Sequence, residues 1–309
     1  MTYKTLVVIT GPTAVGKTAT AIQIARELDT EIISADSRQF YREMNIGTAK
    51  PSREDMGKVP HHLIGHLSIH DYYNVSLFEQ DVLAILDDLF KTKDHALLVG
   101  GSGLYIDAVC KGIDDLPDAD LELRARLNED FKRKGIESLR EKLMELDPEY
   151  YREVDLSNPK RLMRAIEVCL QTGKKYSELR KREKVGRDFN IIKIGLNLER
   201  QKLFEKINNR VDRMMEKGLL EEARSLYPHK GLNALNTVGY KELFEYFDGR
   251  ISLDQAVTDI KTNTRRYAKR QLTWFKRDKE IRWFLPSETE NILQYINSFP
   301  YEIKSTGGT

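Results

Sequence analysis

Gly11-Pro12-Thr13-Ala14-Val15-Gly16-Lys17-Thr18 decides the fold of this chain. The octet fits G-x-x-x-x-G-K-[ST], a loop whose backbone N–H groups converge on a phosphate. Its flanks agree. Leu6–Ile9 is a short apolar run of strand type, and the stretch from Thr18 to Leu28 sets Ala21, Ile22, Ala25 and Leu28 at helical spacing. Strand, glycine loop and helix together aim the positive end of a helix at an anion. Gly11 and Gly16 let the backbone turn, with Thr13, Ala14 and Val15 between them. Lys17 supplies a full charge, and Thr18 a hydroxyl able to bind Mg2+. The loop specifies phosphate or pyrophosphate; it does not specify ATP.

Working outward, further buried strands are expected at Glu31–Ser34, His95–Val99 and Ile191–Leu196, with a weaker one at Ile281–Leu285. Helices alternate with the first of these, which predicts a parallel α/β sheet. Ser76–Glu79 and Ser252–Gln255 read as capping boxes, the second opening a helix that extends to Phe275. From 114 to 187 no strand is expected. Short charged helices there are punctuated by Pro117, Gly135, Pro148, Pro159 and Gly173. The expected organisation is therefore an α/β core, 1–113 and 188–309, with an all-helical insertion at 114–187. The tail 305–309 is expected to be disordered.

The composition sets bounds. At 309 residues the chain can bury one large core plus a smaller insertion. With 40% hydrophobic and 32% charged residues it reads as globular. No apolar run is long enough to span a bilayer, and the N-terminus enters a strand with no signal-peptide core. Cys110 and Cys169 form neither a metal spacing nor a disulfide framework. A cytoplasmic protein with no membrane partner is expected, and a monomer. Net charge is only +2, but it is unevenly spread. Residues 156–187 hold ten Lys/Arg against three Asp/Glu, and 261–282 hold nine against two. Such blocks suit a polyanion, or simply solvated helix faces.

In open α/β sheets ligands bind beyond the carboxyl ends of the strands. Three such ends carry polar or glycine-rich sequence: the phosphate loop, Ala35-Asp36-Ser37-Arg38-Gln39, and Gly100-Gly101-Ser102-Gly103. Asp36 can serve as a general base, hold a water of a bound metal, or merely cap the next helix. The glycines of 100–103 fit either a tight turn or the close approach of a ligand. His61 and His62 have no Cys or His at ligand spacing; His66 and His70 follow at i+4 steps, which leaves a metal site open, although loop or core roles are commoner for such histidines. Tyr267, Trp274 and Phe275 interleave with Arg265, Arg266, Lys269 and Arg270, a pattern of RNA-binding helices and, more commonly, of core anchors.

Taken together, GPTAVGKT (11–18), ADSRQFYREMNIGTAKP (35–51), VPHHLI (59–64), GGSGLY (100–105), NPKRLMRAIEV (158–168), VGYKE (238–242) and TRRYAKRQLTWF (264–275) resemble the tRNA dimethylallyltransferases, in that family's order and over nearly the whole chain. The resemblance implies a P-loop nucleoside-triphosphate-hydrolase-like core with an inserted helical domain that clamps the anticodon stem-loop of tRNA. It implies transfer of the prenyl group of dimethylallyl diphosphate to the exocyclic amine of the adenosine 3′ of the anticodon, with Mg2+ as cofactor and no ATP hydrolysis. Asp36, Lys17 and Thr18 would be catalytic. The diphosphate would lie on Gly11, Thr13, Ala14, Val15, Gly16, Lys17 and Thr18, with Arg210 as a further clamp. RNA would meet Asp36, Ser37, Arg38, Gln39, Ser102, Arg124, Lys160, Arg161, Leu162, Met163, Arg164, Val238, Gly239, Tyr240 and Lys241. Ser102 stands where the family usually has Thr, and no cysteines are present for the zinc finger of eukaryotic members. Two other readings compete: a small-molecule kinase using the loop for ATP, and a non-catalytic RNA-binding module.

Overall fold

A computed structural model describes residues 4–114, 116–180 and 185–300. The tail 305–309 and the basic residues Lys181, Arg182 and Lys184 lie outside them. Six strands form one sheet: β1 (Thr5–Thr10), β2 (Ile32–Ala35), β3 (His61–His62), β4 (His95–Gly100), β5 (Asn190–Leu196) and β6 (Arg282–Phe284). All pairings are parallel, in the order β3-β2-β4-β1-β5-β6. β1 is buried along its whole length, as expected of a central strand covered on both faces. One face packs Val7, Ile9, Leu97 and Ile192 against Ile24 and Ala25 of the helix Lys17–Glu27. The other packs Leu6, Val8, Ile33 and Leu98 against Phe78, Val82 and Leu86 of the helix Val75–Leu89.

The register places the site. Thr10 pairs with Gly100, and Gly100 with Ala35, so β1, β4 and β2 end level. The three polar loops read from the sequence thus leave one edge of the sheet side by side.

Two details differ from expectation. β3 was not expected, because two residues carry no alternation to read; His61 and His62 extend only because they pair with Ile32 and Ile33. The cap of Val75–Leu89 is Asn74, whose side chain accepts the amide of Leu77 (2.9 Å), and Ser76 sits inside the first turn. Glu79 does not reach back to the cap but pairs with Arg187. At Leu253–Phe275 half of the expected box forms. Ser252 accepts the amide of Gln255 (3.1 Å), while the Gln255 side chain turns to Asp259 (3.0 Å).

The chain separates into two compact units, one of residues before 111 and after 186, the other of residues 111–186. The second contains helices Leu121–Lys134, Glu137–Leu146, Pro148–Glu153, Pro159–Thr172 and Tyr176–Leu179, and no strand among the described residues. Its core is Leu127, Leu139, Leu143, Tyr150, Leu162, Ala165 and Ile166. Asp147 is fully buried and fully used: it caps Pro148–Glu153 through the amide of Tyr150 (2.9 Å) and accepts both the amide and hydroxyl of Ser177 (2.7 and 2.9 Å). Such satisfaction is what makes a buried carboxylate tolerable.

Candidate active site

Gly11 (φ 146°) and Gly16 (φ 118°) take the left-handed backbone the loop requires, and Ala14 joins them at φ 64°. A Cβ on Gly11 would meet the carbonyl oxygen of Leu196 at 2.4 Å. Gly16 occupies the cap position of Lys17–Glu27 without a side chain to satisfy the first amides, which leaves them for a ligand. Lys17 folds back over the loop and donates to the carbonyls of Gly11 (3.0 Å) and Pro12 (2.9 Å).

A cleft of about 780 Å³ opens over this loop. Thr13, Gly16, Lys17 and Thr18 line it, with Asp36, Lys206, Arg210, Arg213 and an apolar wall of Ile46, Ala49, Met56 and Met214. A second cleft of about 550 Å³ is lined by Ser37, Arg38, Val238, Gly239, Lys241 and Arg270. The two share Thr13, Asp36, Arg210, Met214 and Tyr267. Asp36 therefore stands where they meet. Its Oδ1 accepts the amide of Arg38 (3.1 Å) in an Asx turn. Its other oxygen has no hydrogen bond among the described residues. Residues 37–40 form a turn rather than a helix, so Asp36 caps no helix.

The electrostatics follow from confinement. Desolvation lowers Lys17 to about 8; Asp36 pulls it back up, while Arg210 pushes it further down. Desolvation also lowers Arg210, against the pull of Asp36. Burial pushes the Tyr267 phenol up, and Asp36 adds to this, so it remains a donor at neutral pH. Its ring is nonetheless 36% exposed toward the clefts, with Arg270 over one face at 5.8 Å.

The 100–103 glycines serve packing. A Cβ on Gly100 would meet the Ala35 carbonyl oxygen at 2.1 Å, on Gly101 the Gln271 side chain at 2.1 Å, and on Gly103 the Trp274 indole at 2.3 Å. Protein thus fills the space considered for a ligand. Trp274 donates to Asp107 (2.9 Å) and Phe275 is buried, so both anchor the core, whereas Tyr267 faces the clefts.

Gln271 was missed in the sequence. Its Oε1 accepts the amide of Thr13 (2.8 Å), and its Nε2 donates to the carbonyl of Gly101 (2.9 Å). One amide side chain therefore ties two of the three loops together. Between the second and third, Ser37 donates its amide to Ser102 Oγ (3.0 Å).

A family model described as IPP transferase matches residues 39–278. The chain is 51% identical over 298 residues to a tRNA dimethylallyltransferase 1 of Bacteroides fragilis, covering 96% of this chain and 99% of that protein. It is 52% identical over 294 residues to a tRNA dimethylallyltransferase of Christiangramia forsetii, covering 95% and 97%. The chain belongs to the IPP transferase family. Among solved structures, the tRNA isopentenylpyrophosphate transferase of Bacillus halodurans aligns with TM-score 0.69 at 37% identity, over 95% of this chain and 96% of its own. The family match opens at residue 39, so the phosphate loop and Asp36 lie outside the matched segment.

The remaining expected RNA contacts sort unevenly. Gln39 donates to the carbonyls of Thr48 and Ala49, and Arg38 to those of Asn233 and Ala234. In the helical unit Lys160 and Arg161 are exposed. Arg124 and Arg164 both bond Glu167, which is 1% exposed; Arg164 also donates to the Pro117 carbonyl (2.6 Å). Met163 packs partly buried against the helical core. Two expectations need correcting. Leu162 and Tyr240 are fully buried, so neither side chain can touch RNA. Leu162 sits in the helical core, and Tyr240 donates to Glu222 (2.7 Å).

Proposed function

We propose that the protein transfers the dimethylallyl group of dimethylallyl diphosphate to the exocyclic amine of the adenosine 3′ of the anticodon, in tRNAs that read codons beginning with U. The observation that carries this reading is the position of Asp36, at the junction of two clefts, with one carboxylate oxygen unengaged.

The donor lies in the first cleft with its diphosphate on the loop 11–18. The target base, turned out of its stack, enters the second. As the amine nitrogen bonds to the allylic carbon, the carbon–oxygen bond to the diphosphate breaks. Asp36 accepts the proton that nitrogen loses. Lys17, the amides at Gly16–Thr18 and Arg210 receive the charge developing on the departing diphosphate. Tyr267 and Gln271 hold the wall between the clefts.

Among the described residues no group of three or more His, Cys, Asp or Glu could hold a metal. Asp36 is the one carboxylate among the residues lining the first cleft, and Thr18 brings a hydroxyl to it directly beside Lys17. That sparse oxygen set fits Mg2+, which keeps most of its waters and binds through substrate phosphates. Thr18 would hold it, and it would supply further neutralisation of the diphosphate. Of the cations that the family resemblance assigns to RNA in the helical unit, Lys160 and Arg161 are exposed and would meet stem phosphates.

The kinase reading is not favoured, because the relatives matching this chain end to end are tRNA dimethylallyltransferases. The test is to incubate an anticodon stem-loop RNA with enzyme, Mg2+ and dimethylallyl diphosphate, then weigh the product. A mass gain of one dimethylallyl group on that adenosine, with release of diphosphate, is expected. Transfer of phosphate from ATP to a small molecule, with unmodified RNA, would point to a kinase.

A further inference from the structure

Glu222 lies on the helix Leu219–Leu226, outside the sequence-read site. Its carboxylate is fully engaged. Oε2 accepts the amides of Asn45 (3.0 Å) and Ile46 (2.8 Å). Oε1 accepts the amide of Gly47 (2.9 Å) and the hydroxyl of Tyr240 (2.7 Å). Successive amides converging on one centre make an anion-binding concavity. Here the anion is the protein's own, and bonds to an ionised acceptor are about twice as strong as neutral ones. Tyr240 closes the arrangement from behind: a Cβ on Gly47 would come within 2.6 Å of its ring. On the other side Lys50 donates to the Tyr41 carbonyl and to Asn45 Oδ1.

The turn held in this way borders both clefts. Ile46 and Ala49 line the first, Gly47 and Thr48 the second. We infer that Glu222 is a positioning residue for prenyl transfer, clamping the 45–47 turn and thereby fixing the wall common to donor and acceptor. The inference rests on reading the two clefts as donor and acceptor sites. A displacement of about 1 Å between reacting groups costs on the order of a hundredfold in rate. Glu222 makes no hydrogen bond to the loop 11–18, so the grip on diphosphate does not depend on it.

Glu222→Gln offers one acceptor oxygen in place of two and points an N–H at a backbone donor. Single-turnover transfer at saturating donor and RNA should slow by about tenfold to a hundredfold. Binding of inorganic diphosphate, followed by calorimetry, should stay within about twofold of wild type. Tyr240→Phe keeps all three amide bonds and should lose no more than about threefold in rate. Gly47→Ala, which drives a methyl into Tyr240, should reproduce the Glu222→Gln pattern and serves if that variant does not fold. In the wild type, amide exchange at 45–47 should be slow for a surface turn. A wild-type rate in Glu222→Gln, diphosphate affinity falling in step with rate, or freely exchanging amides would each overturn the inference. If the wild type transfers no prenyl group, the proposed activity fails, while the exchange measurement still judges the clamp.

Discussion

Two pairs of basic side chains, one pair in each unit, are used in opposite ways. In the α/β unit Lys17 donates only to carbonyls, and Arg210 has neither hydrogen bond nor ion pair among the described residues. In the helical unit Arg124 and Arg164 converge on the buried carboxylate of Glu167. A recessed cation without a carboxylate against it is prepared for an anion from outside, whereas one bound to a buried carboxylate is committed to the fold. Charge counts therefore mislead: the block 156–187 holds ten Lys/Arg, yet Arg164 and Arg187 within it are occupied internally. Arg210, in a less conspicuous stretch, stands in the clefts.

The comparison can be broken most directly at Asp36. Asp36→Asn keeps its shape and its Asx turn but cannot take a proton. Single-turnover transfer at saturating tRNA should fall by about 10²–10⁴-fold. If only tRNA affinity falls, Asp36 recognises RNA and the base lies elsewhere. Lys17→Ala should reduce turnover by on the order of a hundredfold or more, and weaken diphosphate binding as well. Activity near wild type would mean that the loop holds no phosphate.

Arg164→Ala tests the other half. It removes one of two guanidinium partners from a buried carboxylate and should destabilise the helical unit by about 1–3 kcal/mol, read by denaturant unfolding. Arg161→Ala, an exposed neighbour, should leave stability unchanged and lower the salt dependence of tRNA binding. The contrast collapses if Arg164→Ala costs RNA affinity and no stability.

The smallest effect is one of pH. With Lys17 at about 8 in the free protein, its charge is present below that pH and lost above it. A bound diphosphate holds the proton on. Affinity for inorganic diphosphate should therefore fall as pH rises through about 8, by at most about tenfold per unit, with proton uptake on binding. Calorimetry in buffers of different ionisation enthalpy measures that uptake. It should vanish in Lys17→Arg, whose guanidinium stays charged.

Much of this was legible in the sequence, for definite reasons. The phosphate loop is a local device, complete within residues 11–18, and β1, β4 and β5 are apolar runs that only a covered sheet can use. The loops after β2 and β4 could be named because a parallel sheet puts its ligands at those ends. What escaped depends on partners far away in sequence. Gln271 meets Thr13 across 258 residues, and Glu222 meets Ile46 across 176; neither leaves a periodic trace. The burial of Leu162 and Tyr240 could have been read, since Leu162 with Ala165 and Ile166, and Tyr240 with Leu243 and Phe244, fall at helical core spacing.

The Gln271 bridge also orders events during synthesis. The loop 11–18 leaves the ribosome well before residue 271, which follows Thr13 by 258 positions. At translation rates of about 5–20 residues per second that is a wait of roughly 13–52 s. Throughout it, the amide of Thr13 lacks its tether, and β1 lacks β5 for most of the interval. A product that stops short of the last long helix carries the complete octet without the brace that holds it in place.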